Sequence, residues 1–315
     1  MHRTKDHAPI RLVFRWLLCA AFVTALVASA AAQTLTVGTA DPTRFLNDIK
    51  TLTVPAMEGR GDDTKGIALA TRLLGERYKG LGLEPVGTQG FLQPFSLITG
   101  AKLTGNNHLR QQVGNTSKDL KLNDDFVPFS FSASGQADAQ VVFAGYGASA
   151  AEFGYDDYAG IDVKGKIVVL LRYEPPSFAT KGGNQGQTQH ASLITKAINA
   201  RNHGAKAVVV VNGNLGKEQQ DLLTRFGSVS GPENAGIILV QVKNSVAEAW
   251  FAAVGKSMPG VQNQINTSTK PVSFAFPESL RLTLSAGVES TRATVNNVLA
   301  YLPGKTSEYV IVGAH

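Results

Sequence analysis

Four short runs made up almost entirely of apolar residues constrain the fold of this chain more than any other feature of its sequence. Runs of this kind, bounded by turn residues, are typical of buried strands. Helical patterns lie between or after them, one from His190 to His203 and one that begins at Ser245. Strands and helices that alternate in this way predict a small α/β module. The four runs are Val141–Phe143, Lys166–Leu171, Ala207–Val211 and Ile237–Val242.

The segment before this module predicts two helices followed by strands. Asp41, with a proline directly after it, is a typical helix start, and a second helix is predicted from Thr64 to Lys79. Residues Phe91 to Phe131 have strand-like patterns, the clearest being Phe126–Ser132. Pro128 indicates an edge strand, because proline cannot donate to a ladder of hydrogen bonds.

The segment after the fourth run predicts a helix, a link and more strands. Ser245 and Glu248 have the spacing of a capping box, and the polar stretch Gln262–Pro271 is interpreted as a link. The sequence ends in a strand pattern with no helix behind it, so we expect a C-terminal truncation. The predicted strands are Leu280–Leu284, Val295–Leu302 and Tyr309–Val312.

The first 33 residues have the anatomy of a signal peptide. A basic start runs to Arg15, an apolar stretch covers Trp16–Ala28, and Ala30–Ala32 offers small residues for cleavage. The apolar stretch is shorter than the roughly 20 residues of a membrane span. We therefore expect an exported protein, periplasmic or secreted, without a stable membrane span after signal cleavage; an uncleaved anchor is the alternative. The single cysteine, Cys19, would leave with the signal, which excludes disulfides and thiolate ligands from the mature chain.

The charge of the chain gives no support to nucleic-acid binding. The formal net charge is +6, and half of it lies in the first 15 residues. No run of lysine and arginine interleaved with aromatic residues follows in the remainder. We therefore expect a peptide or protein substrate and no nucleic-acid partner.

Three separated stretches resemble the zinc aminopeptidase family that includes aminopeptidase Y, glutamate carboxypeptidase and the transferrin receptor (metallopeptidase family twenty-eight). The first is similar to the N-terminal helical segment of that family. The second is similar to the protease-associated (PA) domain that many members carry as an insertion. The third is similar to the two strands that open the peptidase sheet. They are Met57–Gly61 with Gly80–Pro85 and Phe91–Phe95, Phe143–Gly147 with Tyr155–Gly160 and Lys164–Val168, and Asn296–Gly304 with Val310–His315.

The resemblance implies an exopeptidase with two zinc ions that hold a water between them. In this family the histidine that closes the last strand is the first zinc ligand in chain order, and His315 is the matching position. A neutral imidazole is a good zinc ligand, and strand ends are where α/β folds place their chemistry. The family's other ligands and its catalytic glutamate would follow residue 315. This chain by itself is therefore expected to be inactive and to bind zinc weakly or not at all.

Other polar residues are interpreted as structural. Asp156 and Asp157 form a pair without a third carboxylate at a calcium-loop spacing, so a solvated turn is expected. His190 and His203 bracket one predicted helix and cannot share a metal from that helix alone. His108 lies in a polar stretch and is expected to be exposed.

These observations predict an incomplete zinc-exopeptidase α/β domain interrupted by a protease-associated α/β insert. The function expected is that of an N-terminal fragment of an exported zinc metallopeptidase, with an aminopeptidase as the first choice. The alternatives are a non-catalytic secreted PA binding module and a protease of another class with the same insert. The expected segments are a signal peptide at 1–32, an N-terminal peptidase segment at 33–137, the PA insert at 138–275 and the start of the catalytic domain at 276–315.

Overall fold

The computed structural model describes residues 41–181, 186–214 and 220–314, without the side chains of residues 180 and 181. The proposed signal peptide, Cys19 and the predicted metal ligand His315 lie outside the described residues. The chain divides into two compact units, residues 1–54 and 55–315. The described part of the first unit holds helix α1 (Pro42–Leu52), and the Asp41 carboxylate accepts hydrogen bonds from the amides of Thr43 (2.9 Å) and Arg44 (3.2 Å). The predicted start of this helix is confirmed.

The second unit begins with a 3₁₀ segment at Pro55–Arg60 and helix α2 (Lys65–Gly80), which confirms the helix predicted from Thr64 to Lys79; Thr64 is its N-cap. The remaining elements follow in chain order. They are β1 (Glu84–Pro85), β2 (Leu92–Leu103), β3 (His108–Val113), β4 (Thr116–Leu120), β5 (Phe126–Pro128), β6 (Gly135–Ala144), β7 (Ser149–Ala150), a 3₁₀ turn (Ala151–Phe153), β8 (Tyr155–Asp156), β9 (Ile167–Leu171), α3 (Pro176–Lys181), a 3₁₀ turn (Gln189–Ala191), α4 (Leu193–Asn202), β10 (Ala207–Val211), β11 (Ile238–Val242), α5 (Asn244–Ala252), α6 (Met258–Ser268), β12 (Ser273–Ala275), β13 (Leu280–Ala286), β14 (Val288–Val298) and β15 (Ala300–Tyr301).

Nine of these strands form one sheet, and the α/β prediction is confirmed. Its order is β4-β3-β13-β6-β9-β10-β11-β5, with β12 paired to β6. The four predicted apolar runs are the neighbouring strands β6, β9, β10 and β11, which are parallel to one another. All residues of β9, β10 and β11 are buried, as expected for strands covered on both faces. β5, which contains Pro128, is an edge strand as predicted.

Two apolar clusters cover the two faces of this sheet. On one face, alternate residues such as Val209 and Val211 pack with Trp250 and Phe251 of α5. On the other face, Val208 and Val210 belong to a cluster that includes alanines of α4. The alternation follows from the two-residue period of a strand. The helices therefore leave the ends of the parallel strands as the accessible edge of this layer.

Three predicted features differ in the structure. The capping box at Ser245 and Glu248 is wrong, because α5 begins at Asn244 and the amides of Asn244 and Ser245 donate to the distant carboxylate of Asp221 at 2.7 and 2.9 Å. The link Gln262–Pro271 is wrong, since α6 occupies most of it. The strand Tyr309–Val312 is also wrong, as these residues have no regular secondary structure and are exposed.

The segments on either side of the large sheet pair with each other. β2 and β14 form an antiparallel ribbon in which Leu103 faces Val288 and Leu92 faces Val298. β1 and β15 are also paired in an antiparallel arrangement. Where the ribbon meets the sheet, the amide of Thr104 donates to the carbonyl of Gly287 at 2.9 Å. Among the described helices, none has the length and apolar character that crossing a membrane requires.

Candidate functional site at the carboxyl edge of the parallel strands

Polar side chains gather where the parallel strands of the sheet end. Arg172 directly follows β9, Asn212 directly follows β10, and Gln241 is the second-last residue of β11. The carboxyl edge of parallel strands is where α/β folds commonly bind ligands. Asn212 and Gln241 are buried, while Arg172 is partly exposed. This edge is the candidate site of the described residues.

These three side chains and Thr224, through its hydroxyl and its backbone amide, close a ring of hydrogen bonds. Nη1 of Arg172 donates to Oδ1 of Asn212 (3.4 Å) and to Oγ1 of Thr224 (3.0 Å). Nε2 of Gln241 donates to the same Oδ1 of Asn212 (2.8 Å), and its Oε1 accepts from the amide of Thr224 (2.7 Å). Because each partner is itself held, the guanidinium of Arg172 has a fixed orientation. We call Arg172, Asn212, Thr224 and Gln241 the arginine ring.

A cavity of about 210 Å³ lies beside the arginine ring. Arg172 and Tyr173 form one part of its wall, and the backbone of Tyr173 has a left-handed conformation (φ 67°) that side chains rarely adopt. Phe131 and Leu193 give the cavity an apolar part, and both are buried. The other lining residues are Gln187, Ala191, Ser192, Ile194, Val229 and Ser230. The cavity thus combines one cation with an apolar surface and hydroxyl groups.

A second polar network is buried beneath the loop that follows β6. The Asp157 carboxylate accepts from the amides of Tyr146 (2.9 Å) and Ala148 (3.0 Å) and from the hydroxyl of Tyr155 (2.7 Å). Lys196 of α4 is also fully buried and donates to the carbonyl of Tyr146. The predicted solvated turn is therefore wrong for Asp157, although Asp156 is partly exposed.

Burial shifts the proton affinities of both charged groups in this network. Loss of hydration raises the pKa of Asp157 to about 7, against the lowering effect of the Tyr155 hydroxyl and of Lys196. Loss of hydration also lowers the pKa of Lys196 to about 7, against the attraction of Asp157. Neither group reaches solvent, so the network stabilises the Gly145–Gly147 loop and does not face a ligand.

The histidines singled out from the sequence do not converge. His190 is buried, and its Nε2 lies 2.7 Å from Oε1 of Glu152. Nδ1 of His203 lies 2.8 Å from the carbonyl of Asn199, at the end of α4. His108 is only partly exposed and pairs with Asp119 at 2.8 Å. Across the described ranges, no group of three or more histidine, cysteine, aspartate or glutamate side chains could hold a metal ion.

Sequence reasoning missed the arginine ring and the buried Asp157–Lys196 network. A signal for the ring was present, because Arg172 and Asn212 each stand directly after a continuous apolar run. That position predicts a polar group at the edge of a parallel sheet. The distant partners Thr224 and Lys196 carry no comparable signal, since only the folded chain brings them to these positions.

Comparison with known proteins finds a domain match within the chain. Residues 136–250 match the family model described as the PA domain, and this range holds the four parallel strands, α4 and most of α5. The predicted resemblance of this segment to the PA domain is confirmed. A comparison with curated proteins finds no match.

Solved structures give a second comparison, and three of them are described here. An aminopeptidase from Aneurinibacillus sp. strain AM-1 is 21% identical over 85% of this chain and 49% of that chain, with a TM-score of 0.42. The zinc aminopeptidase BSAP from Bacillus subtilis is 19% identical over 83% and 47%, with a TM-score of 0.34. The subtilisin-like protease Apa1 from Pseudoalteromonas sp. AS-11 is 12% identical over 61% and 35%, with a TM-score of 0.31. The chain spans about half the length of the two aminopeptidases.

Proposed function

We propose that this chain is part of an exported zinc-dependent peptidase, an aminopeptidase, in which the PA-like region is a non-catalytic module. The observation that carries the proposal is the match of residues 136–250 to the PA domain, within a segment whose two flanks pair with each other. The family motifs at Met57–Gly61 and Asn296–Gly304 lie outside the match, one on each side. They support a peptidase rather than an isolated binding domain.

The PA-like region is proposed to be an insertion between two parts of one peptidase domain. Support for this comes from the ribbon of β2 and β14 and from the Thr104–Gly287 hydrogen bond at its base. The strands favour an insertion from about Thr104 to Gly287, which is wider than the 138–275 expected from the sequence. The large sheet runs from His108 to Ala286 and would lie wholly inside this insertion.

The described residues do not fit a zinc centre. They contain no metal-binding group, and the arginine ring offers a cation and neutral amides rather than carboxylates and imidazoles. The zinc site is therefore proposed to depend on His315 and on ligands outside the described residues. We assign no step of the hydrolysis to the described side chains, whose part is to carry and orient the PA-like module.

Zinc content and peptidase activity test this proposal on the full-length gene product. We expect the full-length protein to bind two zinc ions and to hydrolyse leucine p-nitroanilide, and His315→Ala to lose activity together with zinc. His203→Ala is the matched control, because its imidazole contacts only a helix carbonyl and the Tyr158 ring in the described structure. A full-length protein without zinc and without hydrolysis, in inductively coupled plasma mass spectrometry and in the assay, would contradict the proposal.

A second candidate function is recognition without catalysis. The arginine ring favours it, because a fixed cation beside a cavity can bind a ligand without any metal. The zinc experiment separates the two, since a recognition protein would show neither zinc nor hydrolysis. Unchanged activity in His315→Ala would instead indicate a protease of another class.

A further inference from the structure

The arginine ring presents a cation whose charge is not balanced by any acidic side chain in the described part of the chain. Nη1 of Arg172 donates to the neutral acceptors Asn212 and Thr224, and the guanidinium carbon lies 5.2 Å from the centre of the Tyr173 ring, a contact that leaves the in-plane N–H donors free. Other arginines of the described structure, such as Arg110 and Arg281, form ion pairs with aspartates. A partly buried cation without an anion is unfavourable, so the site suits an anionic ligand.

The geometry of the ring leaves a defined part of the guanidinium free. An arginine side chain has five N–H donors in a planar fork, and the two protons of Nη1 account for the two observed acceptors. Nη2 and Nε have no hydrogen-bond partner among the described residues. These two nitrogens form the edge of the fork that binds a carboxylate through two parallel hydrogen bonds.

The cavity limits the size and character of the anion. Its volume of about 210 Å³ lies below the 300–1,000 Å³ that is typical of pockets for drug-sized ligands, so it suits one residue of a peptide. Phe131 and Leu193 offer apolar contact beside the cation. Arg172 is the one cationic side chain of the described lining, which favours a singly charged carboxylate over a phosphate.

We propose that the cavity beside Arg172 binds a carboxylate of a peptide, with an adjoining apolar group against Phe131 and Leu193. The carboxylate is either the C-terminal group or an acidic side chain, and both would use the same edge of the guanidinium. The arginine ring holds that edge in place before the ligand arrives, which reduces the entropy lost on binding. The proposal rests on the proposed peptidase function only for the ligand being a peptide; the preference for a carboxylate rests on Arg172 alone.

Calorimetric titration of the purified 315-residue chain tests the proposal with four small probes. N-acetyl-leucine carries an α-carboxylate, N-acetyl-leucinamide is its neutral counterpart, N-acetyl-aspartic α-amide carries a side-chain carboxylate, and inorganic phosphate is the competing anion. We expect at least one carboxylate probe to bind, and the neutral amide to bind about tenfold more weakly or not at all. Whichever carboxylate binds more tightly identifies the source of the group in the natural ligand.

Three variants connect this binding to the arginine ring. Arg172→Gln should weaken carboxylate binding by about tenfold or more, and Arg172→Lys should weaken it less, because it keeps the charge and loses the fork. Arg225→Gln is the matched control, since Arg225 is exposed, lies outside the cavity lining and changes the net charge equally. Circular dichroism checks the fold of each variant, and if Arg172→Gln does not fold, Arg172→Lys against Arg225→Gln decides.

Several outcomes would overturn the inference. They are equal binding of the acid and its amide, tighter binding of phosphate, no binding of either carboxylate, or equal weakening by the Arg172 and Arg225 variants. None of them depends on zinc or hydrolysis. If the zinc experiment fails but the carboxylate still binds, the chain is a recognition protein. If the full-length protein is an active zinc enzyme but the Arg172 variants bind the carboxylate as well as the wild type does, only the proposed carboxylate site is wrong.

Discussion

Asp157 shows how much one buried acidic residue can depend on its surroundings. Its carboxylate accepts three hydrogen bonds, two of them from the amides of the loop after β6, and it is fully buried. An alanine side chain at Gly145 would lie 2.0 Å from this carboxylate, and Gly145 has a positive φ of 48°. The loop and the acid therefore fit each other closely, and substitution at either position would disturb both.

We expect the stability of the protein to fall as the pH rises from about 4 to about 7 through the contribution of Asp157. Its folded pKa of about 7 lies above the ordinary value of 3.8, so in this window the folded state keeps a proton that the unfolded state loses. Lys196 has the opposite effect at higher pH, because its folded pKa of about 7 lies below its ordinary value of 10.5. Between these two values Lys196 is protonated in the unfolded chain but not in the folded one, so the stability of the protein rises with pH.

Urea denaturation of the wild type and Asp157→Asn between pH 4 and pH 10 measures this effect. The asparagine variant cannot ionise, so the wild-type advantage in free energy of unfolding should shrink from pH 4 to pH 7. The rise above pH 7 should remain in both proteins, because Lys196 is present in both. A wild-type advantage that stays constant or grows between pH 4 and pH 7 would show that Asp157 is ionised in the folded protein.

At the level of single residues, the sequence indicated the secondary structure around a residue better than its burial or its hydrogen-bond partners. The sequence placed Asp156 and Asp157 in a turn, but it could not separate the partly exposed residue from the buried one. The difference arises from Tyr146, Tyr155 and Lys196, which reach Asp157 only in the folded chain. The predicted ligand His315 stays a prediction, because it lies outside the described residues.

At the level of elements, helix α5 shows that a helix can be capped from outside its own sequence. The Asp221 carboxylate accepts from the first two amides of the helix, at Asn244 and Ser245. The negative charge also lies at the positive end of the helix dipole. α5 carries Trp250 and Phe251 into the core, so the position of its first turn affects the packing of one face of the sheet.

Asp221→Ala should lower the free energy of unfolding by about 1 kcal/mol, as is typical for the loss of a helix cap. Asp221→Asn keeps one acceptor oxygen and should cost less. Ser245→Ala is the control, because the sequence predicted a cap there while in the structure Ser245 is an exposed residue of the first turn. Urea denaturation should find a change below about 0.5 kcal/mol for Ser245→Ala. A larger loss for Ser245→Ala than for Asp221→Ala would restore the capping box.

The strands of the parallel layer were predictable because a continuous apolar run has one favourable environment, the interior of a covered sheet. Helix α6 was missed although its signal was present. Met258, Val261, Gln262 and Ile265 are buried at the spacing of one helix face, and Ser257 caps the helix. Polar residues and the flanking prolines favoured a link, but Pro259 lies in the first turn, where proline is tolerated. The run Tyr309–Val312 gave the opposite error, a strand that was predicted but is absent, because an apolar run forms a strand only where a partner strand can pair with it.

At the level of the whole second unit, the segment that forms the large sheet has its own apolar core, and the first and last residues of this segment lie next to each other. Residues of β3, β4 and β13 belong to the same apolar cluster as the parallel strands, among them Leu109, Leu120 and Leu282. The chain enters this region at Thr104 and leaves it at Gly287, where the two residues share a hydrogen bond. Adjacent ends and a separate core are the properties of a segment that can be inserted into another domain or removed from it.

We therefore expect residues 104–287, expressed alone, to fold cooperatively, because this segment contains all nine strands and both covering layers. The shorter segment 138–275, which matches the boundaries expected from the sequence, is the control. It lacks β3, β4, β5 and β13, so Ala139 of β6 would lose its partner Leu282, and the edges of β6 and β11 would be left unpaired. Urea denaturation followed by circular dichroism should give one sigmoidal transition for the longer segment and a weaker or absent transition for the shorter one. Equal stability of the two segments would mean that the antiparallel strands belong to the flanking segments and not to the insertion.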